Sequence, residues 1–173
     1  MARVVPSLSK GTPLDLRSFD QRDLPRLVDL TIETFGPFYE DHFRPAVGEI
    51  VFARQHGDWR GDYRRLVPGL HDPENGKHVV VAESDGAIVG FVGWKVDPER
   101  ERGEIEIVAV SAEHRGRRIG TALCEHAIAD MKERGARMVA IGTGGDAFHA
   151  PARALYERLG CTQYPVSVYF KEI

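Results

Sequence analysis

The stretch from Ile105 to Ala122, IEIVAVSAEHRGRRIGTA, constrains the fold more than any other part of the chain. It reads as a hydrophobic strand, a short basic turn containing glycine, and then a helix. A turn of this kind gathers backbone N–H groups where the positive end of a helix dipole emerges, and such a place binds phosphate. The elements around it decide what sheet it sits in.

Leu14 to Arg17 predicts a short first strand, and residues 1–13, rich in proline, glycine and small hydroxyl side chains, predict a flexible N-terminal arm. Leu24 to Phe35 carries apolar residues at 24, 27, 28, 30, 32 and 35, the spacing of an amphipathic helix. Gly36-Pro37 is expected to stop it. Phe38 to Arg54 is expected to be helical with an interruption at Pro45, and Asp62 to Leu70 to form a short helix. HVVVAE (78–83) and AIVGFVGWKV (87–96) predict a tight antiparallel hairpin. Glu104 to Val110 is the next strand. Ile119 to Arg134 has apolar positions at 119, 123, 127, 128 and 131 and is read as a helix closed by Gly135. Met138 to Ile141 follows as a buried-type strand. Pro151 opens a helix that runs to Leu159, and Val166 to Phe170 is expected to be a final strand. The sum is an α/β fold: a central mixed β-sheet with helices packed over it, in one domain over 14–173.

Composition bounds the function. With 173 residues, 42% of them hydrophobic and 28% charged, the chain suits one ordinary globular domain with a core of its own. A net charge of −3 argues against a nucleic-acid binder held by bulk charge. No apolar run approaches the roughly 20 residues that span a bilayer, and MARVVPSLSKGTP lacks the apolar core of a signal peptide. Two cysteines, Cys124 and Cys161, make no disulfide framework, so a reduced, cytoplasmic setting is expected. The seven histidines are scattered and predict no metal site.

The strand before the turn carries two carboxylates. Strict alternation puts Ile105, Ile107 and Ala109 on one face and Glu104, Glu106, Val108 and Val110 on the other. Paired carboxylates on one face of a central strand are costly to bury. Either this strand end is wet, or one of the two is a general base in a cleft. Beyond it, Arg115, Arg117 and Arg118 can add charge-assisted contacts to phosphate oxygens, while Gly116 and Gly120 let a ligand approach the backbone. The turn is neither a Walker loop, since no Gly-Lys-Ser/Thr follows, nor a dinucleotide fingerprint, since G-x-G-x-x-G is absent.

VAVSAEHRGRRIGTAL resembles the acetyl-CoA signature of the GNAT N-acetyltransferases, R/Q-x-x-G-x-G/A, with Arg115 first and Gly120 last. Arg118 stands where the family pattern has glycine. HAPARALYERLGC is similar to the family's second element, N-x-x-A-x-x-L-Y-x-x-x-G-F: Ala152, Leu155, Tyr156 and Gly160 match, His149 replaces the asparagine and Cys161 the aromatic residue.

The resemblance implies a GNAT fold and an acetyltransferase using acetyl-CoA as donor. It places the pyrophosphate on Gly116 to Thr121, with Arg115, Arg117, Arg118, Ile119 and Gly120 around it. The pantetheine arm would run along Val108, Ala109 and Val110 into a gap between neighbouring strands, with a backbone N–H near Val110 polarising the thioester. Glu106 or Glu104 would deprotonate an amine acceptor, Glu106 being favoured if a water bridges. Tyr156 would protonate the leaving thiolate, and His149 would contact the pantetheine or relay a proton. Attack would be direct, in a ternary complex. The acceptor would be a primary amine of a small molecule or peptide; a protein lysine or N-terminus, and a non-catalytic acyl-CoA-binding module, are the alternatives. Phe35, Phe38, Tyr39, Phe43, Trp59 and Tyr63 fall where the acceptor site is walled, though most read as core. Asp146, Glu40 or Asp41 are candidate anchors for an ammonium. A homodimer stays open.

Overall fold

The computed structural model describes residues 3–4 and 14–173. Most of the expected N-terminal arm therefore lies outside the described residues. Six strands form one sheet in sequence order: β1 (Arg3–Val4), β2 (Asp15–Ser18), β3 (Lys77–Ser84), β4 (Ala87–Asp97), β5 (Arg102–Val110) and β6 (Met138–Ile141). All neighbours are antiparallel except β5 and β6, which run parallel. A parallel step needs a crossover, and the helix α5 (Ile119–Glu133) supplies it.

Both faces of the sheet are covered. Helix α1 (Leu24–Pro37) packs Leu27 and Leu30 on Val79, Val81, Phe91, Ile107 and Ala109. On the other face α5 buries Ile119, Leu123, Cys124, Ala127 and Met131 against Val80, Val92, Trp94 and Ile105, and α6 (Ala150–Arg158) adds Tyr156. Covering both faces explains why β3 and β4 read as nearly continuous apolar runs. The hairpin between them turns on Asp85 and Gly86, both at positive φ.

The region after α1 departs from expectation. Gly36-Pro37 does not stop the helix; the backbone stays right-handed to Val47. Pro37 lacks an N–H, and the coil widens just after it into a π-type turn over Phe38–Phe43, which accommodates the lost bond. Pro45, which also lacks an N–H, falls just beyond this turn at the second residue of α2 (Arg44–Val47), and the chain stays helical through it. The break falls instead at Gly48, whose φ of 83° leads into α3 (Glu49–His56) and then α4 (Trp59–Leu66).

The last expected strand is also absent. Val166 to Phe170 has no regular structure, and Tyr164, Val166, Val168 and Tyr169 are exposed. Pro165 removes a ladder donor at the start of this run, and strand propensity without a paired edge yields no strand. The segment is anchored by Phe170, whose ring meets Phe43 edge-on at 5.8 Å.

Candidate active site

Two irregularities in β5 build the site. The first is a β-bulge. Gly93 pairs with Ile107 and Trp94 with Ile105, so Glu106 is an extra residue opposed by none. A bulge shifts the pleat by one residue. Ile105 therefore packs toward α5, whereas Ile107 and Ala109 pack toward α1. The strict alternation expected from sequence fails here: Val108 and Val110 share the α5 side with Ile105, and Ile107 and Ala109 do not.

The second is the short overlap with β6. Pairing covers only Arg102–Ile105 against Met138–Ile141. From Glu106 to Val110 the outer edge of β5 has no strand beside it among the described residues. The gap anticipated between neighbouring strands is thus present, and it opens onto a cavity of about 820 Å³. That volume suits a small-molecule or cofactor cleft.

The turn that closes one end of this cleft is shaped for an anion. Gly116 adopts φ 76° and Arg118 φ 60° before α5 begins. The first N–H to bond within the helix is that of Ala122, which reaches the Arg118 carbonyl at 3.0 Å. No side chain caps this helix and no acidic residue lies in its first turn. The N–H groups of Ile119, Gly120 and Thr121 are therefore the unbonded donors that every helix start presents. Arg115 tethers the turn by donating from Nε to the Val110 carbonyl at 3.3 Å. The family's glycine position keeps its left-handed backbone although Arg118 occupies it, a strain of about 1–2 kcal/mol.

Val108, Val110, Arg115, Gly116, Arg118, Ile119, Gly120, Thr121 and His149 all line the cleft. Three of the expected CoA contacts do not. Ala109 is buried on the opposite face, Arg117 lies outside the lining, and Tyr156 is packed in the core beside Leu123 and Cys124. Sequence reasoning missed Thr34, His114, Phe148 and Arg158, which complete the walls; an apolar or polar residue at a helix end carries no motif that would mark it. Among the described residues the lining contains no Asp or Glu, and His114, Arg115, Arg118 and Arg158 are part of it. This local positive charge runs against the chain's net −3 and favours a polyanionic ligand.

Glu104 and Glu106 sit apart from this cleft. Lys95 Nζ lies 3.4 Å from Glu104 and 3.5 Å from Glu106; Arg102 adds a contact to Glu104 at 3.3 Å and Lys77 one to Glu106 at 3.7 Å. Oε2 of Glu106 is buried with no hydrogen-bond partner. Burial pushes the Tyr156 phenol above its ordinary range, so it is a protonated donor at neutral pH. Burial likewise pushes the Cys124 thiol up to about 12.

Of the six aromatic residues expected to be mostly core, only Trp59 is fully buried; Phe35 and Tyr63 pack half-buried against the α1 cluster, and Phe38, Tyr39 and Phe43 are half-buried outside it. Trp59 is buried and stacks on Tyr39 at 4.8 Å; Phe35 stacks on Tyr63 at 5.5 Å and reaches the cleft wall. Glu40 is engaged by Trp59 Nε1 at 3.1 Å, Arg60 at 3.1 Å and Arg44 at 2.8 Å. Asp146 accepts from His149, and Asp41 is exposed on the wide turn. Among the described residues no helix is long and apolar enough to cross a membrane, and no group of three or more His, Cys, Asp or Glu side chains gathers as a metal site would.

The profile of the Acetyltransferase (GNAT) family matches residues 25–161, which takes in the open strand edge, the anion turn and α6. The chain belongs to the GNAT acetyltransferase family. Among curated GNAT relatives, mycothiol acetyltransferase of Thermomonospora curvata is 31% identical over 99% of this chain and 56% of its own length. The enzyme of the same name from Streptomyces griseus is 32% identical over 92% of this chain and 50% of its own. The chain spans about half the length of these curated relatives. Solved structures show the shared fold: a GNAT-family protein from Desulfovibrio desulfuricans (TM-score 0.67, 20% identity, 88% of this chain and 87% of that one) and an aminoglycoside N-acetyltransferase in complex with CoA (TM-score 0.62, 14% identity, 95% and 98%).

Proposed function

We propose that this GNAT domain transfers an acetyl group from acetyl-CoA to a primary amine. One observation carries the reading: the unbonded N–H groups at the start of α5 and the unpaired edge of β5 open into the same cationic cleft. A helix N-terminus holds the pyrophosphate, and Arg115, Arg118 and Arg158 add charge-assisted contacts to the phosphates. The peptide-like pantetheine arm then finds backbone donors and acceptors along Glu106–Val110, where a sheet neighbour would otherwise sit.

A backbone N–H near Val110 is read as the group that polarises the thioester carbonyl. Tyr156 is read as the proton donor to the departing thiolate because it holds the tyrosine position of the family's second motif and stays protonated, although its side chain packs in the core rather than in the cleft lining. The acceptor is a primary amine of a small molecule or peptide, and acceptors related to mycothiol head the classes to test.

The test is thiol release from acetyl-CoA, read colorimetrically against primary amines of these classes: mycothiol-type amines, aminoglycosides, polyamines, amino acids and peptide N-termini. Turnover with one class supports the reading. Silence across the panel with tight CoA binding would replace it with a non-catalytic acyl-CoA-binding module.

A further inference from the structure

The loop after β6, Gly142-Thr-Gly-Gly-Asp-Ala-Phe-His149, ends in a side-chain pair that no family motif supplies. His149 Nδ1 and Asp146 Oδ2 lie 2.7 Å apart, and the backbone N–H of His149 also donates to Asp146 Oδ1 at 3.2 Å. The imidazole is mostly buried, with 15% of its side chain exposed, yet it lines the cleft. Phe38 and Phe148 meet the ring nearly edge-on at 4.7 and 5.0 Å. An ionised carboxylate only accepts hydrogen bonds, so Asp146 fixes the hydrogen on Nδ1 and leaves the lone pair on Nε2.

The loop is built around this pair. Arg153, one turn into α6, donates to the carbonyls of Gly144 at 2.6 Å and Asp146 at 2.7 Å. A Cβ at position 144 would collide with Asp146 Oδ2 and His149 Nδ1, so glycine is required there by the pair itself. Burial alone would raise the Asp146 carboxyl, but the His149 ring and backbone N–H donors outweigh it and hold the carboxyl below its ordinary value.

We propose that His149 is the general base that deprotonates the acceptor amine, with Asp146 as its positioning residue, in place of the strand glutamates. The proposal rests on the acetyl-transfer reading above. Glu104 and Glu106 are ion-paired outside the cleft lining, no carboxylate among the described residues lines it, and His149 and His114 are the lining side chains with a ring nitrogen able to accept a proton. His114 is engaged at Nδ1 by Ser111 Oγ at 2.7 Å, on the loop leading to the phosphate turn. Nε2 of His149 takes one proton from the acceptor ammonium. The freed amine attacks the thioester carbon, forming C–N as C–S breaks. Tyr156 protonates the departing thiolate and regains its proton from the second one shed by nitrogen, and the imidazolium returns the first to solvent. The products are amide, free CoA thiol and one proton.

Several charged groups face this imidazole. Asp146 and Arg153 flank it on its own loop and helix, and His42 lies behind Phe148 at 5.4 Å on the wide turn. Arg115 and Arg118 line the same cleft from the turn before α5, and Arg158 from the far end of α6.

The test is His149→Asn, which keeps a donor toward Asp146 and matches the residue the family motif has there. With acetyl-CoA and the best amine of the panel, kcat at pH 7 should fall about 100-fold, while the CoA dissociation constant stays within about threefold. As pH rises toward the amine's own pKa, the wild-type to variant ratio should shrink toward one, because the amine then deprotonates unaided. Asp146→Asn should lower kcat about tenfold with KM unchanged and show the same convergence. A His149→Asn variant within threefold of wild type at pH 7, or a deficit independent of pH, overturns the base role and leaves acetyl transfer standing. A wild-type protein that binds CoA but turns over no amine overturns both.

Discussion

Arg115 and Val110 join the two halves of the site: the Arg115 guanidinium donates from Nε to the Val110 carbonyl at 3.3 Å, linking the turn before α5 to the unpaired end of β5. The same guanidinium lines the cleft, so one side chain both holds the turn and faces the ligand's charge. Arg115→Ala should raise the CoA dissociation constant about tenfold, the scale of one charge-assisted hydrogen bond. Calorimetric titration checks this, and the deficit should narrow at high salt.

Arg118 separates strain from binding. Its left-handed backbone is one that glycine adopts freely. Arg118→Gly should leave thermal stability unchanged or raise it by up to about 1 kcal/mol, since relief of strain outweighs the added chain entropy. CoA affinity should fall at the same time. A lower melting temperature with unchanged affinity would contradict this account of the turn.

Gly144 should tolerate no side chain. Gly144→Ala pushes on Asp146 and His149 and should reduce kcat by about tenfold with CoA binding intact, a positioning effect of the size small misplacements produce. Chemical shifts of the His149 ring nitrogens would report the displaced pair.

Away from the cleft, Arg17 clamps a buried carboxylate. It donates to both oxygens of Asp23 at 2.7 and 2.9 Å and to Glu83 at 2.7 Å. The Arg17 contact holds the buried Asp23 carboxyl below its ordinary value. Asp23 therefore stabilises the fold fully above its unfolded pKa of about 3.9 and loses that contribution as pH falls through the depressed folded value. Arg17→Ala should cost about 2–3 kcal/mol at pH 7. The gap to wild type should shrink below about pH 3. A gap of constant size from pH 7 to 2.5, measured by urea denaturation, would contradict this sign.

Much of the fold was legible because its elements are locally consistent. Of the expected inward positions of α5, 119, 123, 127 and 131 are buried and 128 is half-buried, since helical spacing alone largely fixes that face. The turn into α5 was legible because glycine and arginine sit at a strand-to-helix junction. The face assignment in β5 was not: the bulge at Glu106 depends on pairing with β4, which a single strand's alternation does not reveal. Pro37 misled because a wide turn can absorb a missing donor. Val166–Phe170 misled because propensity says nothing about whether an edge is there to pair with. His149 was marked by its place in the second motif, but its tie to Asp146 emerges only once the loop is closed in space.

The central claim is that this cleft holds CoA by its phosphates on the start of α5. Calorimetric titration of the protein with CoA, beside pantetheine, which lacks those phosphates, tests it most directly. The account predicts one CoA per chain and pantetheine binding at least about 100-fold weaker, the loss expected from two or more charge-assisted contacts. No CoA binding, or equal affinity for the two, would contradict it.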